Sequence, residues 1–262
     1  LDGVSPDLYS WNTVISGCAE QGEKESVFTT YQQMQDQGLL PNSITLVSLL
    51  KLCASTTSLE MGKRIHAQIE GATRVENVKV VLANVLIEMY SRCGRIGDAL
   101  KVFESMTTKD VVTWNTLITG CGRQGEIDIA FSMLERMKEE GIKPESITFV
   151  SVLSLCSHVG LVDEGLRYFK AMSKDYGISP SLEHHSCVID LLCRSGEIHG
   201  AIEMIKRMPF SCNPEIWHTL LSGCKSSGNV CVGKSAFEHA LLLSESYVAT
   251  SPDNIYAPVY GG

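Results

Sequence analysis

Three tryptophans recur at a fixed interval, and this constrains the fold more than any other feature of the chain. Trp11, Trp114 and Trp217 stand 103 residues apart, and their neighbours recur with them. Trp11-Asn12-Thr13-Val14-Ile15 returns as Trp114-Asn115-Thr116-Leu117-Ile118 and again as Trp217-His218-Thr219-Leu220-Leu221. Leu52-Cys53 and Leu155-Cys156 are 103 residues apart as well. Self-similarity at a fixed period is the signature of a repeat architecture. The length of 262 residues would otherwise suggest one or two globular domains, at ~150 residues each.

The 103-residue period subdivides. Asn84-Val85-Leu86-Ile87 lies 31 residues before Asn115-Thr116-Leu117-Ile118, and Arg92-Cys93-Gly94-Arg95-Ile96 returns with a slip as Arg194-Ser195-Gly196-Glu197-Ile198. Units at 8–42, 43–79, 80–110, 111–145, 146–181, 182–213 and 214–247 place Gly22, Gly94, Gly125, Gly160, Gly196 and Gly228 at their fifteenth position. The same frame places Met34, Met106, Met137, Met172 and Met208 at the twenty-seventh. Residues 1–7 read as the end of a preceding unit, with Asp7 as its last residue. Because the chain opens on Leu1 rather than Met, it is expected to be a fragment, with any targeting segment outside it.

Each unit has the periodicity of two short helices. In 111–145, Val112, Trp114, Leu117, Ile118 and Cys121 follow helical spacing, Gly125 turns the chain, and Ile127, Ala130, Met133, Leu134 and Met137 form a second stripe. The run Val111-Val112-Thr113-Trp114 has strand-like composition, but the helical stripe continues through it. A helix pair this short cannot bury its own apolar faces, whereas stacked pairs can, so the expected fold is an all-α solenoid.

Val111 to Gly120, the close Gly141-Ile142-Lys143-Pro144, and Val159-Gly160-Leu161-Val162-Asp163-Glu164-Gly165 together resemble the plant pentatricopeptide repeat (PPR) family, over nearly the whole chain. The alternation of 35, 36–37 and 31–32 residues is similar to the rhythm of its P-L-S subclass, and the first six units follow that order. A tetratricopeptide array fits less well, with its repeat of 34 residues and no Trp-Asn pair. The resemblance implies a right-handed α-solenoid superhelix of stacked helix-turn-helix repeats. Pro214 to Leu221 resembles the start of a first E motif (214–247), and residues 248–262 resemble a partial second one interrupted by Thr250-Ser251-Pro252-Asp253.

Arrays of this kind read one RNA base per repeat with two or three side chains. The resemblance implies that these are the fifth and last residues of a unit, here Asn12/Asn42, Asn84/Asp110, Asn115/Glu145 and Ser186/Asn213. It further implies a pyrimidine for Asn/Asn, U for Asn/Asp, a weak pyrimidine preference for the unusual Asn/Glu, and A for Ser/Asn. The L units carry Val47/Lys79 and Val150/Ser181 and are expected to read little. The second-position residues Tyr9, Val81 and Val112 are candidates for packing between bases, or else plain core. An Asn at a helix start can equally be a cap; recurrence at one frame position favours the reading role.

The resemblance implies a non-enzymatic, sequence-specific single-stranded-RNA-binding protein of a mitochondrion or chloroplast. It would act as a site-recognition factor for C-to-U editing, with a DYW-type cytidine deaminase and MORF proteins as partners. The alternative is a structural or processing subunit of an organellar ribonucleoprotein, such as the ribosome or a splicing complex.

The chemistry-bearing patterns point elsewhere than to a catalyst. Gly120-Cys121-Gly122-Arg123-Gln124-Gly125 matches a dinucleotide-binding fingerprint, but its copies at 17–22 and 223–228 lack the middle Gly, so it reads as helix-turn punctuation. There is no His-x-Glu with Pro-Cys-x-x-Cys, the zinc deaminase signature. His184-His185 near Cys187 has poor spacing for a metal, and the ten Cys include no Cys-x-x-Cys, so neither metal nor cofactor is expected and the thiols read as small buried groups. No apolar run approaches the ~18–20 residues of a membrane span. The net charge of −8 argues against affinity built mainly on phosphate attraction. It leaves base-edge hydrogen bonds, helix N-termini and a few cations such as Arg92, Arg95 and Arg123 to hold RNA.

Overall fold

Polar residues able to cap a helix close most of the expected units, and a helix starts directly after each of them. The computed structural model describes residues 7–72, 76–209 and 214–228, with Gly233, Lys234 and Phe237. The described residues form thirteen α-helices and no strands. In order they are α1 (Leu8–Glu20), α2 (Lys24–Asp36), α3 (Ser43–Ser55), α4 (Leu59–Ala72), α5 (Glu76–Arg92), α6 (Ile96–Ser105) and α7 (Val111–Arg123). There follow α8 (Ile127–Glu139), α9 (Ser146–Val159), α10 (Val162–Lys174), α11 (Leu182–Arg194), α12 (Ile198–Arg207) and α13 (Pro214–Ser227). The strand-like run Val111 to Trp114 is the first turn of α7.

Capping explains where these helices begin. Asp7 accepts the Ser10 N–H at 2.9 Å, Asn42 the Thr45 N–H at 3.1 Å, and Asp110 the Thr113 N–H at 2.8 Å. Each bond satisfies one of the orphan donors at a helix start. The exception is α5, which begins at Glu76 rather than at residue 80. Lys79 cannot cap and Leu82 has no hydroxyl to return, so nothing stops the helix at the expected position. At the other end of α7, Gly125 sits at φ 78° with Glu126 N–H bonded to the Cys121 carbonyl at 3.0 Å, a left-handed close that glycine adopts without strain.

The chain divides into two compact units, Leu1–Pro144 and Glu145–Gly262, and each is an all-α helical-repeat solenoid. In the first, α1, α3, α5 and α7 stack in sequence, while α2, α4, α6 and α8 each pack behind the helix they follow. In the second, α9, α11 and α13 stack, with α10 and α12 behind. The core is the repeated apolar stripe: Ile15, Leu49, Leu50, Ile87, Trp114 and Leu117 in the first unit, and Leu153, Cys156, Val188, Ile189 and Leu191 in the second, all buried.

The glycine of the Gly-Cys pair has a use that the sequence reading missed. Gly120 lies inside α7, not in a turn, and a Cβ there would collide with the Ser91 side chain of α5. Gly223 meets Cys193 in the same way, with the Cys193 Cα 3.1 Å from an added Cβ. These glycines let neighbouring helices approach closely, and only the downstream Gly125 or Gly228 makes the turn.

Candidate nucleic-acid interface

The two residues expected to read each base are brought together wherever both are described within one unit. Asn12, in the second turn of α1, donates from Nδ2 to the Asn42 Oδ1 at 3.2 Å. Asn42 caps α3, and its Oδ1 also accepts the Thr45 N–H, with the Thr45 hydroxyl oxygen 3.0 Å away. That hydroxyl reaches the Asn12 Oδ1 at 2.5 Å and accepts the Asn42 N–H at 3.2 Å. Two residues thirty positions apart thus share one part-buried knot with Thr45.

The third expected reading unit repeats the arrangement with a charge in it. The Asp110 Oδ1 accepts the Thr113 N–H and the Thr113 hydroxyl, each at 2.8 Å. Burial pushes the Asp110 carboxyl up, but hydrogen bonds from the Thr113 N–H, the Thr113 hydroxyl and the Asn84 side chain outweigh it and hold the group below its ordinary value of 3.8. Asp110 is therefore a carboxylate at neutral pH, with acceptor capacity left over.

The remaining pairs are placed differently. Asn115 is buried in the first unit and neither of its amide atoms finds a hydrogen-bond partner. Glu145 opens the second unit as the cap of α9; it is exposed, and its N–H donates to the Thr148 hydroxyl at 3.0 Å. Ser186 is half-buried in α11, where its hydroxyl donates to the Leu182 carbonyl at 2.9 Å and keeps lone pairs for a ligand. Asn213 lies outside the described residues, as do residues 248–262 of the expected second E motif.

The second position of each of the first five expected units carries an exposed apolar side chain. Tyr9 is 80% exposed, Val81 53% and Val112 59%, so none of the three is core; the expectation that Val112 belongs to the buried stripe of α7 is corrected here. Ile44 and Ile147 occupy the same second position of their units at 57% and 60% exposure, and the sequence reading overlooked them. Tyr9, Ile44, Val112 and Ile147 are each the second residue of a helix, on its first turn, and stay in water unless something flat covers them; Val81 is exposed although α5 starts five residues before it.

Of the expected groove cations, Arg92 pairs with Glu88 at 2.9 Å within α5, and Arg95, just before α6, pairs with Asp98 in its first turn at 2.9 Å. Arg123 is exposed and forms no ion pair among the described residues. Exposed pairs of this type contribute only about 0.3–0.5 kcal/mol, so a phosphate can replace the carboxylate at small cost. Arg194 pairs likewise with Asp190 at 2.8 Å.

The thiols and histidines are engaged in packing. Burial pushes the thiols of Cys53 and Cys193 up to about 12, and those of Cys121, Cys156 and Cys187 up to about 11. They stay protonated at neutral pH, and a thiol is neither a metal ligand nor a good nucleophile in that form. The His184 Nδ1 accepts the Ser181 N–H at 3.1 Å, which leaves its Nε2 to donate to the Ser146 carbonyl at 2.9 Å. His185 stacks edge-on against Phe169 with ring centroids 5.0 Å apart. No helix among the described residues is long and apolar enough to cross a membrane.

Residues 6–55 and 109–158 match the PPR repeat family, and residues 81–111, 147–176 and 183–211 match the PPR repeat. A mitochondrial pentatricopeptide repeat-containing protein of Arabidopsis thaliana is 38% identical over 95% of this chain and 28% of its own length. A second mitochondrial protein of that description, also from Arabidopsis thaliana, is 39% identical over 90% of this chain and 31% of its own. A chloroplastic one from the same plant is 38% identical over 96% and 34%. The chain therefore spans about a third or less of the length of these curated relatives. Among solved structures, the pentatricopeptide repeat protein PPR10 from maize superposes with a TM-score of 0.54 at 17% identity, over 95% of this chain and 40% of that one. PPR10 in complex with an 18-nt psaJ RNA element gives 0.57 at 16%, over 94% and 43%. At these identities the likeness is one of fold.

Proposed function

The chain belongs to the pentatricopeptide repeat family, and from that premise we propose that it binds single-stranded RNA in a plant organelle, reading one base per repeat. The observation that carries this reading is the recurrence of a two-residue polar site between stacked helices of the first unit, where a residue of one helix meets the cap of the next: α1 with α3 and α5 with α7. Asn12 meets Asn42, Asn84 meets Asp110, and an exposed aromatic or aliphatic residue, Tyr9 or Val81, precedes each Asn by three residues. A polymer whose bases stack and whose edges carry donors and acceptors fits such a row.

Read from 5′ to 3′ along the chain, the expected site is pyrimidine, any base, U, weak pyrimidine, any base, A. The readers are Asn12/Asn42, Asn84/Asp110, Asn115/Glu145 and Ser186/Asn213, with Tyr9, Val81 and Val112 packing against the bases. The P-L-S rhythm and the E motif resemblance support a role as the site-recognition factor for C-to-U editing. The target C would lie just downstream of the base read by the unit ending at Asn213, and a DYW-type cytidine deaminase and MORF proteins would complete the complex. Charge supports a modest electrostatic share, since the chain carries 30 acidic against 22 basic residues. Affinity should fall less steeply with salt than for a protein making six to ten phosphate contacts.

The editing role is tested by sequencing organellar transcripts from plants lacking the full-length protein. The expected result is loss of C-to-U conversion at one or a few cytidines preceded by the pattern above, with transcript abundance unchanged. Intact editing at every site, together with a splicing or ribosome-assembly defect, would assign the protein to the ribonucleoprotein role instead.

A further inference from the structure

We propose that Thr45 is a positioning residue for base recognition: it fixes which atoms the Asn12/Asn42 pair turns toward the RNA, so that the third residue of one repeat helps decide what the preceding repeat reads. This rests on the base-reading role proposed above.

Thr45 is fully buried and touches both readers. The backbone leaves no freedom in how the knot is wired. The Thr45 N–H can only donate, so the atom of Asn42 facing it is the oxygen. That oxygen faces Asn12 at 3.2 Å, so the Asn12 atom there is the nitrogen. The Asn12 oxygen is thereby turned to the Thr45 hydroxyl, which donates to it. Both amide oxygens point inward, and the free donors are the Asn42 Nδ2 and the second N–H of the Asn12 Nδ2. A donor-only edge complements cytosine, whose N3 and O2 both accept, and opposes uracil, whose N3 carries a proton.

The equivalent hydroxyl at the next reading site is wired otherwise. Thr113 is also fully buried, but its hydroxyl donates to Asp110 at 2.8 Å and leaves the Asn84 Oδ1 without a partner. A carboxylate attracts the single hydroxyl proton more strongly than an amide oxygen does. Asp110 is in any case held by the Thr113 N–H and the Asn84 side chain. The hydroxyl therefore holds the Asn12 oxygen at the first site and has no hold on the Asn84 oxygen at the second. The capping role is common to both, since Thr45 Oγ1 accepts the Asn42 N–H and Thr113 Oγ1 the Asp110 N–H. A purely structural function would make the two threonines equivalent.

The test compares Thr45→Val with Thr113→Val in the full chain, using single-stranded RNA oligonucleotides that differ only at the first or the third read base. The native protein is expected to prefer C over U at the first base by about tenfold, the scale of one direct base contact. Thr45→Val should reduce this to about threefold, because the Asn12 amide then loses the hydrogen bond that holds its oxygen inward and is kept in place only by its 3.2 Å bond to Asn42, so that its oxygen can swing out to accept the uracil N3–H. Thr45→Ser should restore it. Thr113→Val should leave the U preference at the third base within about twofold of the native value, and melting temperatures should show a similar small loss for both valine variants. Thr45→Ala provides the same comparison if the valine variant does not fold. The inference is overturned if Thr45→Val retains the native preference, if both valine variants lose discrimination equally, or if the native protein discriminates at the third base and not at the first. Absence of any preference at the third base in the native protein would instead contradict the base-reading function itself.

Discussion

Asp110→Asn is expected to convert the third read base from U to C. The Asp110 carboxylate offers about four acceptor sites, of which the Thr113 N–H, the Thr113 hydroxyl and the Asn84 side chain fill three. The one left over can take the N3–H of uracil. Asparagine keeps the oxygen that caps α7 but presents an NH2 group in place of the second oxygen, which repels that N–H and suits the bare N3 of cytosine. The loss on the U oligonucleotide should be about 1–3 kcal/mol, or roughly 5- to 150-fold in Kd, with a gain on the C oligonucleotide. Helix capping should barely change, because Asn and Asp cap about equally well; the lost charge at the helix start costs about 0.3–1 kcal/mol. Fluorescence anisotropy with the two oligonucleotides at one fixed salt concentration measures the exchange, and an unchanged U preference would remove Asp110 from the readers.

Trp114→Ala should produce the largest loss of stability, about 3–5 kcal/mol. Trp114 is fully buried in the first unit, edge-on to Phe103 with ring centroids 4.7 Å apart. The Arg136 guanidinium lies 5.7 Å from the Trp114 ring and is held there by Glu104 and Glu140. Truncation leaves a cavity at the meeting point of α6, α7 and α8, in an array where each repeat is stabilised chiefly by its neighbours. Trp114→Phe should cost much less than the alanine change, because the Trp114 indole N–H has no acceptor and phenylalanine removes that unpaired donor along with part of the ring. Urea denaturation of the three proteins checks the order; equal midpoints for the native protein and Trp114→Ala would show that this tryptophan does not anchor the repeat.

Much of the fold was legible because it is periodic. The interval between Trp11, Trp114 and Trp217 sets a frame, and within it Leu8, Ser43, Val111, Ser146, Leu182 and Pro214 each stand as the first residue of a helix. What escaped was information about neighbours. Gly120 looks like a turn residue in the sequence, and only the position of Ser91 on the adjacent helix reveals a close approach. Arg92 and Arg95 look like free cations until their carboxylate partners are placed. Val112 fits the apolar stripe of α7 by spacing, yet the first turn of a helix projects beyond the layer that would cover it. Thr45 and Thr113 left a faint trace, a hydroxyl three residues after a polar cap. That pattern announces a capping box and says nothing of the bond from Thr45 to Asn12, which depends on how α1 stacks on α3.

The central claim is that successive repeats read successive bases and that the two L repeats read almost nothing. Selection of this chain against a pool of random single-stranded RNA tests it most directly. The expected motif is six bases long: a pyrimidine, a position without preference, U, a weak pyrimidine, a second position without preference, and A. Enrichment with as much preference at the second and fifth positions as at the third, or enrichment without any positional motif, would contradict it.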